Sequence, residues 1–280
     1  MKQFQTMTYP YILWIAIMIV APMCLIVLYA FTTGGGNPVA TIQFTLDHFI
    51  RFFQDDIFRS VLVRSLWIAF FTTVLCIVIG YPIAYVIAMG KKRSNLFWVL
   101  LITLPTWINM LVRTYALMGM FQNEGIINKF LGLFGLEPIE MIHTTFAVIV
   151  GMVYNFIPFM ILQIHASLAK MDKSYIEAAG DLGANQLQCF LRIILPLSLP
   201  GVISGITLVF LPAVSSFFIP KLLGGGQFVL IGNIIETEFL VAGNWNSGSA
   251  ISLIMALIII FSLYLTKKVD KDPASERGRA

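Results

Sequence analysis

The amino-acid sequence predicts an all-α, polytopic membrane protein with six transmembrane helices and a polar loop on its cytoplasmic side. Hydrophobic residues make up 58% of the 280 residues and charged residues only 11%, and the mean hydropathy is +0.86. A chain of this composition has more apolar surface than one soluble core can bury. Because lipid offers the backbone no hydrogen-bond partners, each long apolar segment is predicted to be a helix and not a strand.

Six apolar segments are long enough to cross a hydrocarbon layer of about 30 Å at a rise of about 1.5 Å per residue. The first is about 20 residues long and has no small-x-small cleavage site, so we expect it to remain as a helix and not to be a removable signal. The predicted spans are approximately Tyr11 to Phe31, Ser65 to Met89, Leu96 to Phe121, Thr144 to Leu168, Pro200 to Phe218 and Ser249 to Thr266.

The basic residues of the connections predict the orientation of these spans. Twelve of the 18 bases fall on one side of the membrane, which the positive-inside tendency makes cytoplasmic, so both termini are predicted to be cytoplasmic. These bases are Lys2, Lys91, Lys92, Arg93, Lys170, Lys173, Arg192, Lys267, Lys268, Lys271, Arg277 and Arg279. Acids outnumber bases in the three longer connections on the opposite side, residues 32–64, 122–143 and 219–248. These acids either attract an incoming cation weakly or are only what remains when bases are held inside.

Three regions are predicted along the chain. Residues 1–60 hold the first transmembrane helix and an outer loop, residues 61–268 form a transmembrane domain of five helices, and residues 269–280 are a cytoplasmic tail. The polar loop lies within the second region, at residues 170–197.

The most informative segment is the polar run from Ser174 to Pro196, between the fourth and fifth spans. Ser174 followed three residues later by Glu177 predicts a capping box that starts a short helix, and Gly183 can supply a left-handed ending. Asn185 is predicted to cap a second short helix, which ends where Pro196 redirects the chain. From the residues alone the run is either a linker between spans or a compact protrusion that docks into a partner.

Residue types at fixed positions in this run carry a family resemblance. They resemble the signature of permease subunits of type I ATP-binding-cassette importers, and no signature position is missing. The residues are Glu177, Ala178, Ala179, Gly183, Ile193, Leu195 and Pro196. The resemblance implies that the two short helices dock into a groove on an ATPase. It also implies that closure of two ATPases around nucleotide switches the permease between inward-facing and outward-facing states.

The same resemblance implies the partners and the location. They are two ATPase subunits, a second permease subunit that is related but not identical, and an extracytoplasmic substrate-binding protein, in the bacterial cytoplasmic membrane. The sequence has no Gly-x-x-x-x-Gly-Lys-Ser/Thr phosphate loop, so it cannot supply its own ATP site. We therefore expect neither enzymatic activity nor a bound cofactor in this chain, with ATP and Mg²⁺ on the partner ATPase.

Further segments narrow the expected substrate, because they are similar to permeases for spermidine and putrescine. These segments are Leu104-Pro105-x-Trp107, Arg113 to Ala116, Asn123 to Asn128, Pro220 to Gly226 and Phe239 to Ala250. Permeases for ferric iron, sulfate and phosphonate share parts of this pattern, so those substrates remain alternatives.

Aromatic and acidic side chains are the candidates for a substrate pathway. Alkyl-ammonium groups bind aromatic faces through cation–π attraction, and acids at the outer mouth would pair with such groups or with bases of a docking protein. The candidates are Trp107, Tyr115, Tyr154, Phe217, Phe218, Glu236 and Glu238. Core or lipid packing is the alternative interpretation of the aromatic residues. Arg113 is expected to bond backbone carbonyls or to face a cavity, because an unpaired charge in lipid is costly.

Other functional classes receive less support from the sequence. The bases are dispersed and follow the topology, which does not favour a nucleic-acid partner. An ion-coupled secondary transporter would usually show inverted repeats and membrane-embedded acids, and no acid lies deep in a predicted span. An intramembrane enzyme would need a nucleophile with its base, or a metal pair. The histidines and cysteines have no such spacing, and no metal site is predicted: His48, His143, His165, Cys24, Cys76 and Cys189.

Overall fold

The computed structural model of the protein describes residues 10–33, 43–90, 92–226 and 228–269. Several predicted cytoplasmic bases and all but the first residue of the predicted tail lie outside these ranges: Lys2, Lys91 and residues 270–280. The described helices are α1 (Pro10–Ala30), α2 (Asp47–Gln54), α3 (Asp56–Met89), α4 (Lys92–Thr103), α5 (Met110–Phe121), α6 (Ile126–Leu133), α7 (Thr145–Ala169), α8 (Ser174–Asp181), α9 (Gln186–Ser215), α10 (Phe218–Leu223), α11 (Ile231–Leu240) and α12 (Trp245–Val269).

Five of the described helices are long and apolar enough to cross a membrane: α1, α3, α7, α9 and α12. They correspond to all the predicted spans except the third, so the all-α, multi-spanning fold class is confirmed. Three of them begin earlier than the apolar segments indicated, α3 at Asp56, α9 at Gln186 and α12 at Trp245. Hydropathy marks only the part of a helix that suits hydrocarbon, whereas the backbone hydrogen bonding continues through polar turns beyond it.

The predicted third span, Leu96 to Phe121, is wrong as one continuous helix. The helical stretches Ser94–Trp107 and Met110–Leu133 are bent by 92° relative to each other. α4 passes into a 3₁₀ turn at Leu104–Trp107, and Asn109 then caps α5 by accepting a backbone N–H of its first turn at 2.8 Å. A fresh N-cap is the reason the helix restarts in a new direction. The predicted total of six spans is reached when the bent pair counts as one.

One small antiparallel ladder departs from the purely helical prediction. β1 (Thr32–Thr33) pairs with β2 (Gln43–Phe44), so that Thr32 lies opposite Phe44. The ladder follows directly after α1 and precedes α2. With two residues in each strand, the ladder is a local feature of the connection between α1 and α2, and the fold class remains all-α.

The chain divides into two compact units. One contains the residues up to Leu62 together with Ile231–Ile260, and the other contains Val63–Leu230 and the residues from Phe261 onward. The predicted region boundaries after residues 60 and 268 stay predictions.

Within the first unit, the start of α12 is tied to the end of α1. The Asn246 side-chain amide donates hydrogen bonds to the carbonyl oxygens of Tyr29 at 2.9 Å and of Thr32 at 2.6 Å. The rings of Tyr29 and Trp245 lie beside this contact, with centroids 6.4 Å apart. Asn246 is buried, so these hydrogen bonds satisfy a polar group that would otherwise be costly to enclose.

The second unit is built around the packing of α7 against α9. The two helices run in opposite directions, since Gly201 lies against Ile164 while Gly205 lies against Met160. A Cβ atom placed on Gly201 would lie 2.7 Å from the carbonyl oxygen of Gln163. The two backbones approach closely because glycine has no side chain, as is common where helices pack within membranes.

We expect the substitution Gly201→Ala to destabilise the protein, although alanine is the better helix former. The added methyl group would overlap the backbone of α7, and overpacking of this kind costs about 1–3 kcal/mol. Gly119→Ala is the matched control, because no atom lies within 4 Å of the Cβ position there. That change should leave stability unchanged or raise it by up to about 1 kcal/mol. The thermal unfolding midpoint in detergent measures both, and equal midpoints would contradict the close approach of the helices.

Candidate functional site

The first helix of the polar run is α8, and its N-terminus is capped by Asp172. The Asp172 carboxylate accepts the backbone N–H of Ser174 at 3.0 Å, while the Glu177 N–H donates to the Lys173 carbonyl at 3.2 Å. The predicted capping box of Ser174 and Glu177 is therefore wrong, because Ser174 already lies in the first turn. Hydrogen bonds from the Ser174 backbone and hydroxyl hold the pKa of Asp172 below its usual range. Asp172 is a carboxylate at neutral pH, and the cap weakens only as pH falls.

α8 ends at a glycine in the left-handed conformation, as the sequence predicts. The φ angle of Gly183 is +80°, and the N–H of Ala184 donates to the Ala179 carbonyl at 3.0 Å. A side chain in this conformation costs about 1–2 kcal/mol. No atom lies within 4 Å of a Cβ placed on Gly183. Glycine is therefore required at position 183 by its backbone conformation, and not by a lack of space for a side chain within this chain.

The second helix of the run begins as predicted but does not end where predicted. Asn185 and Gln188 form a reciprocal capping box: the Asn185 side chain accepts the Gln188 N–H at 2.8 Å, and the Gln188 side chain accepts the Asn185 N–H at 3.0 Å. The helix then continues through a π-helical turn at Phe190–Ile194 into the fifth span.

The redirection expected at Pro196 is thus wrong. The N–H of Leu195 donates to the Phe190 carbonyl, five residues earlier, which gives the widened spacing of a π turn. Pro196 falls in the first turn of the α-helical stretch that follows. Proline is tolerated there because its fixed φ is helical and because the helical hydrogen bonds directly before it already have the wider spacing of the π turn. The polar run and the fifth span are consequently one element.

The signature residues of the run differ in exposure. Ala179 is buried, Ile193 and Leu195 are partly buried, and the others are exposed: Glu177, Ala178, Gly183 and Pro196. Apolar side chains outside the signature are also exposed in this segment, among them Leu182 by 89% and Leu187 by 65%. Contiguous exposed apolar patches rimmed by polar residues are typical of surfaces that contact a partner. Sequence reasoning missed Leu182, although its place directly before the helix-ending glycine was a signal.

Aromatic contacts connect the polar run to α3. The Phe190 ring packs edge-on against Tyr81 and Tyr85, with centroid distances of 5.6 and 5.8 Å. The Tyr81 hydroxyl and the Ser198 hydroxyl share a hydrogen bond of 2.7 Å. A displacement of the polar run would therefore change contacts with α3 as well as with α9.

The aromatic pathway candidates lie on several different elements of the structure. Trp107 is 75% exposed at the break before α5, and Tyr115 and Tyr154 lie on α5 and α7 with about half of their surfaces exposed. Phe217 and Phe218 are neighbours in the chain, and their rings lie 4.1 Å apart between centroids. Their joint role in a pathway stays a prediction.

The acidic candidates belong to the other compact unit. Glu236 and Glu238 both lie on α11. One carboxylate oxygen of Glu238 is buried and accepts no hydrogen bond from the described residues. Their contact with an ammonium group or with a docking protein stays a prediction.

Arg113 is enclosed near the start of α5. It is only 7% exposed, and neither Nε nor Nη1 has a hydrogen-bond partner in the described part of the chain. The expected bonds to backbone carbonyls are therefore absent at these two nitrogens. The neighbouring Thr114 is also buried, and its hydroxyl accepts a hydrogen bond of 3.4 Å from the Asn155 amide of α7. A second bond of 2.9 Å joins that amide to the Gly151 carbonyl.

Two segments used for the substrate resemblance have structural roles. Asn128 clamps the connection after α6: its amide donates to the Ile139 carbonyl at 3.0 Å, and its oxygen accepts the Ile139 N–H at 2.9 Å. Gly225 has a φ angle of +59°, and its Cβ position would collide with the His143 ring. Both residues shape connections between helices, so neither is by itself a sign of the substrate.

Comparison with known proteins gives a consistent family. Residues 77–273 match the family described as binding-protein-dependent transport system inner membrane component. The spermidine/putrescine transport system permease protein PotB of Haemophilus influenzae is 36% identical over 274 residues, covering 96% of each chain. PotB of Escherichia coli is 37% identical over 248 residues, covering 88% of this chain and 90% of that protein.

Solved structures agree at the level of the fold. A subunit of a bacterial alginate ABC transporter, in complex with a pentasaccharide-bound periplasmic protein, aligns with a TM-score of 0.78 at 17% identity, covering 96% of this chain and 95% of that one. A chain of the MetNI methionine ABC transporter aligns with a TM-score of 0.57 at 16% identity, covering 78% and 98%. With the matched region spanning α3 to α12, the chain belongs to the family of binding-protein-dependent transport system inner membrane components.

Proposed function

We propose that this chain is a permease subunit of an ATP-driven ABC importer for polyamines, with no enzymatic activity of its own. The observation that carries the proposal is the exposed polar run, in which two capped helices join at Gly183 between two apolar spans. Family membership supports it, because the family is named for transport that depends on a binding protein.

The polar run is the surface on which an ATPase subunit docks. Glu177 and Ala178 are exposed on α8, with Leu182 and Leu187 nearby in the chain and equally open. ATP and Mg²⁺ are held by the ATPase, and closure of two ATPases moves the docked helices. Because the second helix of the run is continuous with the fifth span, such a movement passes into α9 without an intervening loop.

The orientation follows from this role. The run lies in the cytoplasm, both termini lie on the same side, and the chain crosses the bacterial cytoplasmic membrane several times. Bases at residues 170, 173 and 192 flank or lie within the run, and the positive-inside tendency independently assigns such residues to the cytoplasm.

The substrate class rests on the relatives. PotB of Haemophilus influenzae and of Escherichia coli are both named as permeases of spermidine/putrescine transport, and their similarity extends over most of this chain. A second, related permease subunit completes the pathway, and an extracytoplasmic binding protein delivers the substrate. The alginate transporter complexed with its periplasmic protein is a structural parallel for that delivery.

We expect Glu177→Lys and Gly183→Val to abolish ATP-dependent uptake while the protein remains inserted in the membrane. The first change reverses a charge on the exposed face of α8, and the second opposes the left-handed backbone at a cost of about 1–2 kcal/mol. Uptake by the reconstituted complex and retention of the ATPase on affinity-purified permease are measured together. Glu137→Lys is the control, because it reverses an exposed acid in the connection between α6 and α7, outside the segments that resemble polyamine permeases. Wild-type uptake by both run variants would refute the docking surface.

The substrate class is tested by competition. In proteoliposomes that contain the complete system and its binding protein, excess unlabelled spermidine or putrescine should suppress uptake of labelled spermidine. Sulfate, phosphonate and ferric iron should not. A system that does not transport spermidine, or whose transport is suppressed by one of the other solutes, would exclude the polyamine assignment and leave the coupling role untouched.

A further inference from the structure

A cleft with both polar and apolar walls lies beside the polar run, where the end of α7 faces the middle of α9. Its volume is about 520 Å³, which corresponds to roughly 17 water molecules at about 30 Å³ each. That is ample room for a slender alkyl-amine. The polar residues that line it are Gln163, Ser167, Lys170, Asp172, Tyr175 and Ser204.

Three polar side chains on membrane-spanning helices line this cleft. Gln163 and Ser167 are one turn apart on α7, and Ser204 lies on α9. Polar side chains on spans are costly against hydrocarbon and usually face water, a ligand or another protein element. Gly201 also lines the cleft, and the close approach of the helices at this glycine forms its floor.

Two opposite charges line the cleft, and they are held differently. The Asp172 carboxylate is fixed in place because it accepts the backbone N–H of Ser174 at 3.0 Å. Lys170 is exposed and has a long, flexible side chain that can turn towards water. The two side chains form no ion pair with each other or with any other described residue. A ligand in the cleft therefore lies near the fixed negative charge of Asp172, whereas the positive charge of Lys170 can move away from it.

Part of the cleft wall belongs to α8 itself. Tyr175 is in the first turn of that helix, and 56% of its surface is exposed. Its ring offers a face to a cation, and its hydroxyl can accept a hydrogen bond. Asp172 caps the same helix, so a ligand in the cleft touches both the cap and the first turn of the helix that docks the ATPase.

We infer that this cleft binds an ammonium group of the transported substrate, with the Asp172 carboxylate, the Tyr175 ring and the hydroxyls of Ser167 and Ser204 as its contacts. The identity of the substrate rests on the proposed function; the preference for an ammonium group rests on the cleft alone. Movement of α8 would separate Asp172 and Tyr175 from the serines on the spans, so the site is dismantled when the docked ATPase moves. The cleft is thus a last binding site before release into the cytoplasm.

Protection of an introduced cysteine tests the site. Cys24, Cys76 and Cys189 are first replaced, and Ser204→Cys is introduced in the assembled complex in inverted membrane vesicles. Spermidine should slow labelling by a membrane-impermeant thiol reagent, and sodium chloride or sodium sulfate at equal ionic strength should not. Ser94→Cys on α4 is the control, because Ser94 is exposed and does not line this cleft. Its labelling should not respond to spermidine.

Charge variants decide which ion the cleft prefers. Asp172→Asn keeps an oxygen for the Ser174 N–H, and so preserves the cap, but removes the charge. It should raise the spermidine concentration for half-protection about fivefold, and Lys170→Gln should lower it. In the opposite pattern, sulfate would protect the cysteine in the otherwise wild-type cleft, and Lys170→Gln would remove that protection. This result would show an anion site and overturn the inference. If spermidine did not slow labelling of the cysteine introduced at position 204, the inference would also be overturned, even where cells still took up spermidine. Protection without uptake would uphold the ammonium site and count against the polyamine importer.

Discussion

The close contact of α7 with α9 is the constraint on which the rest of the second unit depends. Gly201 and Gly205 let the two backbones approach, and this contact brings the two ends of the polar run together. With its ends held, the run forms the short helix α8 and the first turns of α9, each with a capped N-terminus, in place of a loose connection. The cleft beside it exists for the same reason, because its floor is the meeting point of the two helices. A larger residue at position 201 would therefore affect the packing of α7 against α9, the fold of the polar run and the shape of the cleft at the same time.

Local patterns in the sequence were sufficient for much of this architecture. Long apolar segments specify helices wherever lipid is the solvent, and the spans ending at Ala30 and Ala169 lie within a residue or so of the predicted positions. Gly183 and Asn185 were also predictable, since a left-handed ending and an N-cap each depend on residues within one turn. The cap at Asp172 was missed because Ser174 and Glu177 offered a competing pattern of equal quality two residues later.

The remaining differences arise where distant or compensating contacts decide the outcome. The bend of 92° after Trp107 had a signal in Asn109, but the hydrophobicity of the segment masked it. Pro196 suggested a helix end, and only a π turn, which no residue pattern announces, allows the helix to continue. The aromatic candidates Trp107, Tyr115 and Tyr154 could be chosen by residue type but not grouped, because grouping depends on how helices pack. Gln163, Ser167 and Ser204 gather only when α7 and α9 lie side by side.

The π turn at Phe190–Ile194 gives α9 a property that an unbroken α-helix does not have. Such a turn contains one residue more than an α turn, so it stores a spare residue in the helix. If the turn reverts to α geometry, the residues on one side advance past the other by about 1.5 Å and rotate by about 100°. Each N–H that bonds a carbonyl five residues back would bond one four residues back instead, whereas Pro196 has no N–H to exchange. A rearrangement confined to residues 185–196 would therefore rotate α9 about its own axis as well as tilt it.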